Sequence, residues 1–334
     1  MPATDPTKFK IAKEISRKDI LFCLARVPQT QRLFAGSSDG SVYHFDLATE
    51  KAEPAAMEGH TGYVTGVALA GNQLVSGAYD GQLIWWNAES REKLRAFKAH
   101  DRWIRGVEAT RDGKLIASVA DDMVCRVWDA GSGKLKHELR GHETMTPNNF
   151  VSMLYVCTFS ADGGLLATGD KVGHVVVWDV ETGKPLTTFE VPEVYTWDPR
   201  ARIHSIGGIR SLAFSPDSAL LAVGGMGKVG NIDHLEGKAR VEVFDWRKKE
   251  RVSEFNGDKG KGLISHLAFH PKGDWLVGTG GDGKGLMMFF DVAAKKILRE
   301  DATPMHTHEF ALDETGSRIY AVGHNKLVLW ESAA

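Results

Sequence analysis

Cys125-Arg126-Val127-Trp128-Asp129 is the segment that decides the fold, because the chain repeats it six more times in altered spelling. The other copies are Val42-Tyr43-His44-Phe45-Asp46, Leu83-Ile84-Trp85-Trp86-Asn87, Val175-Val176-Val177-Trp178-Asp179, Val241-Glu242-Val243-Phe244-Asp245, Met287-Met288-Phe289-Phe290-Asp291 and Leu327-Val328-Leu329-Trp330-Glu331. Each is a short, mostly apolar run closed by an aromatic. An acidic residue or its amide follows. The closing aromatics at 45, 86, 128, 178, 244, 290 and 330 are separated by 41, 42, 50, 66, 46 and 40 residues. A repeat at this period is one supersecondary unit that cannot bury its apolar face alone, so the units must stack on one another.

What precedes each aromatic makes the unit a set of strands. Ser38-Asp39-Gly40 and Tyr79-Asp80-Gly81 are hairpin signals, since glycine reaches positive φ without steric cost. Before them come apolar runs ending in small residues, such as Leu74-Val75-Ser76-Gly77 and Leu166-Ala167-Thr168-Gly169. Earlier still lie strand–turn segments, best seen in Ala213-Phe214-Ser215-Pro216-Asp217 and echoed at Thr158-Phe159-Ser160-Ala161-Asp162 and Ala268-Phe269-His270-Pro271-Lys272. No helical period intervenes.

With Gly59-His60 and Gly141-His142 as Gly-His elements, and Trp128-Asp129 and Trp178-Asp179 as Trp-Asp elements, the chain resembles the WD40-repeat family over nearly its whole length. The resemblance implies an all-β, seven-bladed WD40-type β-propeller occupying residues 1–334 as a single domain, each blade a four-stranded antiparallel sheet. The last repeat then lacks its outer strand. Residues 9–15, Phe9-Lys10-Ile11-Ala12-Lys13-Glu14-Ile15, are expected to complete the last blade and close the ring.

The resemblance also bears on an apparent Ser–His–Asp set. His60, Ser76, Asp80 and Trp86 recur as His100, Ser118, Asp122 and Trp128 at matching positions. In the family these positions form a structural hydrogen-bond network. Two copies at equivalent places suit a staple better than an active site, which needs one cleft and an oxyanion hole. The fourth repeat offers His142 and Thr168, but Val172 stands where counting back from Trp178 places the aspartate. The first repeat has Asp39 with Ala35 and Phe45, and the seventh has His324 at the aspartate position.

Composition narrows the class further. Forty-three per cent of the 334 residues are apolar, enough for a large core, and the net charge of −2 gives no basic footprint for nucleic acid. Cys23, Cys125 and Cys157 lie in apolar strands without paired spacing, as expected of reduced core thiols in a cytoplasmic chain. No run reaches membrane-spanning length. No cofactor motif stands out. Gly280-Gly281-Asp282-Gly283-Lys284-Gly285 sits in a hairpin rather than at a helix start, and Arg247-Lys248-Lys249-Glu250-Arg251 fits a solvated turn.

Function is expected where the repeat is broken. Insertions stand at about 143–150, 191–204 and 226–238. Loops between blades and turns between second and third strands emerge at one end of the strands, so all three should share a face. Phe150, Tyr195, Trp197, Arg200, Arg202, His204, Asn231 and His234 are the candidate partner-binding residues on that face. The expected function is a non-enzymatic scaffold or recognition module, a monomeric propeller taking a protein or peptide partner and neither nucleic acid nor membrane. The alternative is a propeller hydrolase or lyase with a histidine-based metal site at the channel mouth. His306-x-His308, with His204 and His234 in the insertions, motivates it. The set lacks a third ligand at recognisable spacing, so no metal site is assigned.

Overall fold

A computed structural model describes residues 4–49, 54–200 and 202–333. Nearly all of its regular structure is β. The helical elements among the described residues are two single 3-10 turns, Pro6–Lys8 and Pro192–Val194. The strands form antiparallel meanders in a β-propeller arrangement. Five sheets have four strands each, and the second is Val64–Ala70, Gln73–Ala78, Gln82–Asn87 and Lys93–Lys98. The others start with the strands Ile104–Ala109, Leu154–Phe159, Ser211–Phe214 and Leu263–Phe269. These first strands abut one another in succession, starting with Val64–Ala70.

Seven separate four-stranded sheets are not what forms. Among the described residues the large sheets number six, and one of them has six strands, in the order Thr307–Leu312, Arg318–Ser332, Phe9–Arg26, Arg32–Ser37, Ser41–Asp46, Ala55–Glu58. The physical cause is one unusually long strand. Phe9–Arg26 has 18 residues and runs on through the place where a turn would divide one sheet from the next. Arg318–Ser332, 15 residues, instead folds back on itself at Asn325 (φ +59°), where the Ser332 N–H comes round to the Ser317 carbonyl at 2.9 Å, and supplies two neighbouring strand positions. Phe9 to Ser16 pair with Ser332 to Lys326, and Leu21 to Arg26 pair with Ser37 to Leu33.

Burial follows each strand's place in its sheet. Third strands are covered on both faces, and Val175 to Trp178 are all buried. Fourth strands alternate, as Lys93–Lys98 does, because one side meets solvent. The cores lie between successive sheets. Val75, Leu83 and Trp85 of one pack with Ile104, Ile116 and Trp128 of the next. Trp85 is fully buried, and its Nε1–H donates to the Ala130 carbonyl at 2.9 Å. Removing an indole of this size from water stabilises by about 4–5 kcal/mol at ~25 cal/mol per Å2.

Candidate functional site at the channel mouth

The sequence-selected His–Ser–Asp–Trp sets come together. His60 Nδ1–H donates to Asp80 (3.1 Å), the Ser76 hydroxyl donates to His60 Nε2 (2.8 Å), and Trp86 Nε1–H donates to Ser76 Oγ (2.8 Å). His100, Asp122, Ser118 and Trp128 repeat this at 3.0, 2.7 and 2.9 Å, with Arg126 also on Asp122 at 2.9 Å. Burial alone would raise the Asp122 carboxyl, but bonds from His100 and Arg126 outweigh it and hold it well below the usual range.

The fourth repeat needs a correction. Asp170, not residue 172, takes the aspartate's part. Its Oδ2 accepts from His142 Nδ1 at 2.9 Å, and its Oδ1 accepts the N–H groups of Val172 and His174 at 3.0 Å each. Thr168 Oγ1 bridges His142 Nε2 (2.8 Å) and Trp178 Nε1 (2.9 Å). The histidine and aspartate side chains of these networks are largely buried, and their bonds tie each incoming loop to its sheet.

A second recurring feature lies at the axis. The first strand of six repeats carries a bulge one or two residues into its pairing with the second strand. Phe22, Thr65, Arg105, Tyr155, Ser265 and His308 are each skipped in the pairing with the second strand. A bulge adds one residue to one strand and re-aims its side chain, which is why bulges collect at barrel rims and binding sites. Here four of the bulged residues, Phe22, Arg105, Tyr155 and His308, meet other residues of the face that bears the insertions, while Thr65 donates to the Ile104 carbonyl of the next first strand at 2.6 Å. Phe22 touches Tyr63 (ring centroids 5.5 Å apart) and His308 (5.0 Å). Tyr63 touches Tyr79 at 5.4 Å, and Tyr79 stacks on Trp103 at 4.4 Å with the planes 4° apart. Arg105 lies over Tyr79 and Trp103 at 5.1 and 5.3 Å and clasps Asp121 at 2.8 and 2.7 Å. Arg210 covers the Tyr155 ring at 3.6 Å. The result is an arc of rings and guanidinium groups around the mouth, with Tyr63 47% and Trp103 50% exposed.

Of this arc the sequence singles out only His308, as part of the His306-x-His308 pair. The candidate partner-binding residues lie beside it. Tyr195–Asp198 pairs with His204–Gly207 as a separate two-stranded ribbon. Trp197 is 44% exposed, and Arg200, Arg202, His204, Asn231 and His234 are exposed. Phe150 is half-buried. Tyr195 corrects the expectation, since its ring is buried and its hydroxyl has no hydrogen-bond partner. Tyr195 and Trp197 lie two apart and share a face of the hairpin; Tyr195, opposite Gly207 at the base, is covered, while Trp197, opposite Ser205 and nearer the tip, is left open. The insertions also hold one another. Arg202 pairs with Asp233 at 2.7 Å, Lys228 with Glu193 at 3.1 Å, and the Val229 N–H donates to Thr196 Oγ1 at 3.2 Å. Gly207 and Gly208 (φ +102° and +105°) let the ribbon turn into the channel wall, where a Cβ on Gly208 would lie 2.7 Å from Lys171 Cα.

His306, His308 and His324 gather at the mouth with ring centroids 4.9 to 5.0 Å apart. His204 and His234 are not among them. Burial pushes His306 down to about 4 and His308 down to about 3. The rings lie against one another, and among the described residues no group of three or more His, Cys, Asp or Glu is disposed to hold a metal.

Antiparallel meanders around an axis, stapled by His–Asp–Ser/Thr–Trp networks, define a β-propeller built of repeats. The profile described as "WD domain, G-beta repeat" matches residues 53–87, 91–129, 199–229 and 249–285. Over these segments the chain carries repeats of the WD40 family. Similar proteins include telomerase protein component 1 of Mus musculus (25% identical over 77% of this chain and 8% of that protein). Apoptotic protease-activating factor 1 of Homo sapiens is 27% identical over 60% of this chain and 15% of its own length. The guanine nucleotide-binding protein subunit beta of Oryza sativa subsp. japonica is 27% identical over 71% and 57%. The chain thus spans less than two-thirds of the length of each.

Proposed function

We propose that the protein is a non-enzymatic interaction scaffold that recognises a protein or peptide partner on the face carrying the bulged rim and the long loops. One observation carries this: bulges bring Phe22, Arg105, Tyr155 and His308 to the mouth, and the aromatics gathered there remain half-exposed at Tyr63 and Trp103. Stacked aromatics left open on a rigid scaffold cost hydration and gain nothing internally. They are the residue types that dominate interface energetics. Trp197, Arg200, Arg202, His204, Asn231 and His234 extend the same face, and the mutual contacts of the two later insertions give them a fixed base.

The platform for this function is a seven-bladed ring with the six-stranded sheet counted as two blades. Phe9 to Ser16 serve as the outer strand of the last blade. Two features support it. Leu21, Leu33 and Phe45 share a core with Tyr320, Leu327 and Leu329 inside that sheet, as in a boundary between blades. The strand Phe9–Arg26 also abuts Thr307–Leu312.

Partner capture by the full chain tests the proposal, comparing wild type, Tyr63→Ala with Trp103→Ala, and Trp197→Ala with Arg202→Ala. The rim variant should lose capture while melting as the wild type does. Capture unaffected by either pair of substitutions refutes recognition at this face.

A further inference from the structure

The arc of rings ends on a cluster of positive charge in the wall formed by the third, fourth and fifth repeats. Arg105, Lys171 and Arg210 converge there. Arg105 is satisfied by Asp121 on both its Nε and Nη2, and its Nη1 donates to the Tyr79 hydroxyl at 2.7 Å. Among the described residues neither of the other two forms an ion pair with a carboxylate. Lys171, 8% exposed, donates to the Val151 carbonyl at 3.3 Å, and Arg210 donates through Nη2 to the Gly207 carbonyl at 3.1 Å. The Arg210 Nε is buried without a hydrogen-bond partner. Three cations therefore face one carboxylate, and that carboxylate is already held in a fork by Arg105. Burial and the Arg210 charge push the Lys171 ammonium below its ordinary value, as expected for a cation lacking a counter-ion. An uncompensated pair of half-buried cations is costly alone and becomes favourable when an anion completes it.

Resting on the reading of this face as the recognition surface, we propose that the Lys171–Arg210 wall is a carboxylate subsite. It would select partner peptides that carry an Asp or Glu side chain next to an aromatic or aliphatic residue. The apolar residue lies on the Trp103–Tyr63 end and the acid reaches the cations. The arrangement fits an acidic peptide better than a single-stranded nucleic acid. A nucleic acid needs a basic groove tracking its backbone, whereas these cations occupy one wall of a chain with net charge −2.

The test uses a random dodecapeptide display library on the immobilised full chain, with synthetic copies of the selected peptides for titration. Selected peptides are expected to pair Asp or Glu with an aromatic or aliphatic neighbour. Changing that acid to its amide in the peptide should weaken binding to unaltered protein about ten- to hundred-fold, and added salt should weaken it further. Lys171→Gln with Arg210→Gln should lose a similar factor while oligo(dT)20 fails to compete. The peptide-side change needs no altered protein, so a misfolded variant cannot obscure the result. Selected peptides that depend on Trp103 and Tyr63 but carry no acid, or whose affinity ignores the amide exchange, overturn the carboxylate subsite and leave recognition standing. Tighter binding of oligo(dT)20 assigns the wall to nucleic acid and overturns the inference. Peptides indifferent to every rim substitution sink both readings together.

Discussion

Asp170→Ala separates the network seen in the structure from the one expected at residue 172. Asp170 is 1% exposed, and its carboxylate takes three N–H groups: those of Val172, His174 and the His142 ring. A single proton on His142 Nδ1 satisfies the whole chain. Trp178 donates to Thr168, Thr168 donates to His142 Nε2, and His142 donates to Asp170. Removing the carboxylate forfeits one charge-assisted bond, about 1.5–3 kcal/mol, and strands two turn N–H groups at about 1 kcal/mol together where water reaches them. The sum is about 2.5–4 kcal/mol. A 334-residue chain unfolds with roughly 0.7 kcal/mol/K of entropy, so the melting temperature should fall by about 4–6 °C. Asp170→Asn should cost less, about 1–2 kcal/mol, because its amide can donate to Nδ1 if the imidazole adopts the other tautomer. Nitrogen-15 NMR of the imidazole reads that switch, and calorimetry reads the melting. If Asp170→Ala melts within a degree of an exposed control such as Glu181→Ala, the carboxylate does not hold this repeat together.

Other perturbations follow from charge and packing. Burial pushes Glu108 up to about 7 from 4.5, so the folded chain keeps a proton that the unfolded chain releases. Stability from this group is lost as pH rises from 4.5 through 7, and Glu108→Gln avoids that loss. Its advantage should grow from nil at pH 4.5 to about 3 kcal/mol above pH 7, and parallel melting curves at pH 5 and 8 count against it. His306 has the opposite sign. Its folded value of about 4 lies below 6.5, so stability drains as pH falls from 6.5 to 4. His306→Gln should flatten that limb of the pH–stability profile. Phe9, 1% exposed, stacks on Phe289 at 5.5 Å and meets Trp275 edge-on at 6.1 Å. Phe9→Ala should cost about 3–5 kcal/mol by denaturant titration, as should trimming residues 1–15, and a shift under 1 kcal/mol argues against the closing strand.

The seven aromatic-closed strands and the Asp-Gly turns were legible because both follow from local rules: a strand needs its period and a tight turn needs its glycine. The first two networks were legible for the same reason, with Asp80 and Asp122 each six residues before the closing tryptophan. Asp170 stands eight before Trp178 and was missed by counting. What matters physically is that a carboxylate at the strand end can cap the turn and still reach the histidine, and Asp170 does so from two residues upstream. The six-stranded sheet escaped notice because Phe9–Arg26 runs from its pairing with Lys326–Ser332 into its pairing with Leu33–Ser37 with no Gly or Pro to mark the boundary.

The rim had a signal of its own. In a regular strand, buried residues fall two apart. In these first strands buried residues fall three apart: Ile104 and Val107, Leu154 and Cys157, Val64 and Val67, Ile264 and Leu267, Thr307 and Phe310. Spacing of three within a strand too short to be a helix requires one extra residue, and a bulge supplies it. Arg105, Tyr155, Thr65, Ser265 and His308 follow the first member of each pair. The same spacing that breaks the alternation therefore identifies the side chains aimed at the mouth. Substituting one of them leaves the bulge in place, because the flanking apolar pair, rather than the bulged residue, sets the register. The rim can thus change its chemistry without changing the fold, and that independence is what a recognition surface on a repeat scaffold requires.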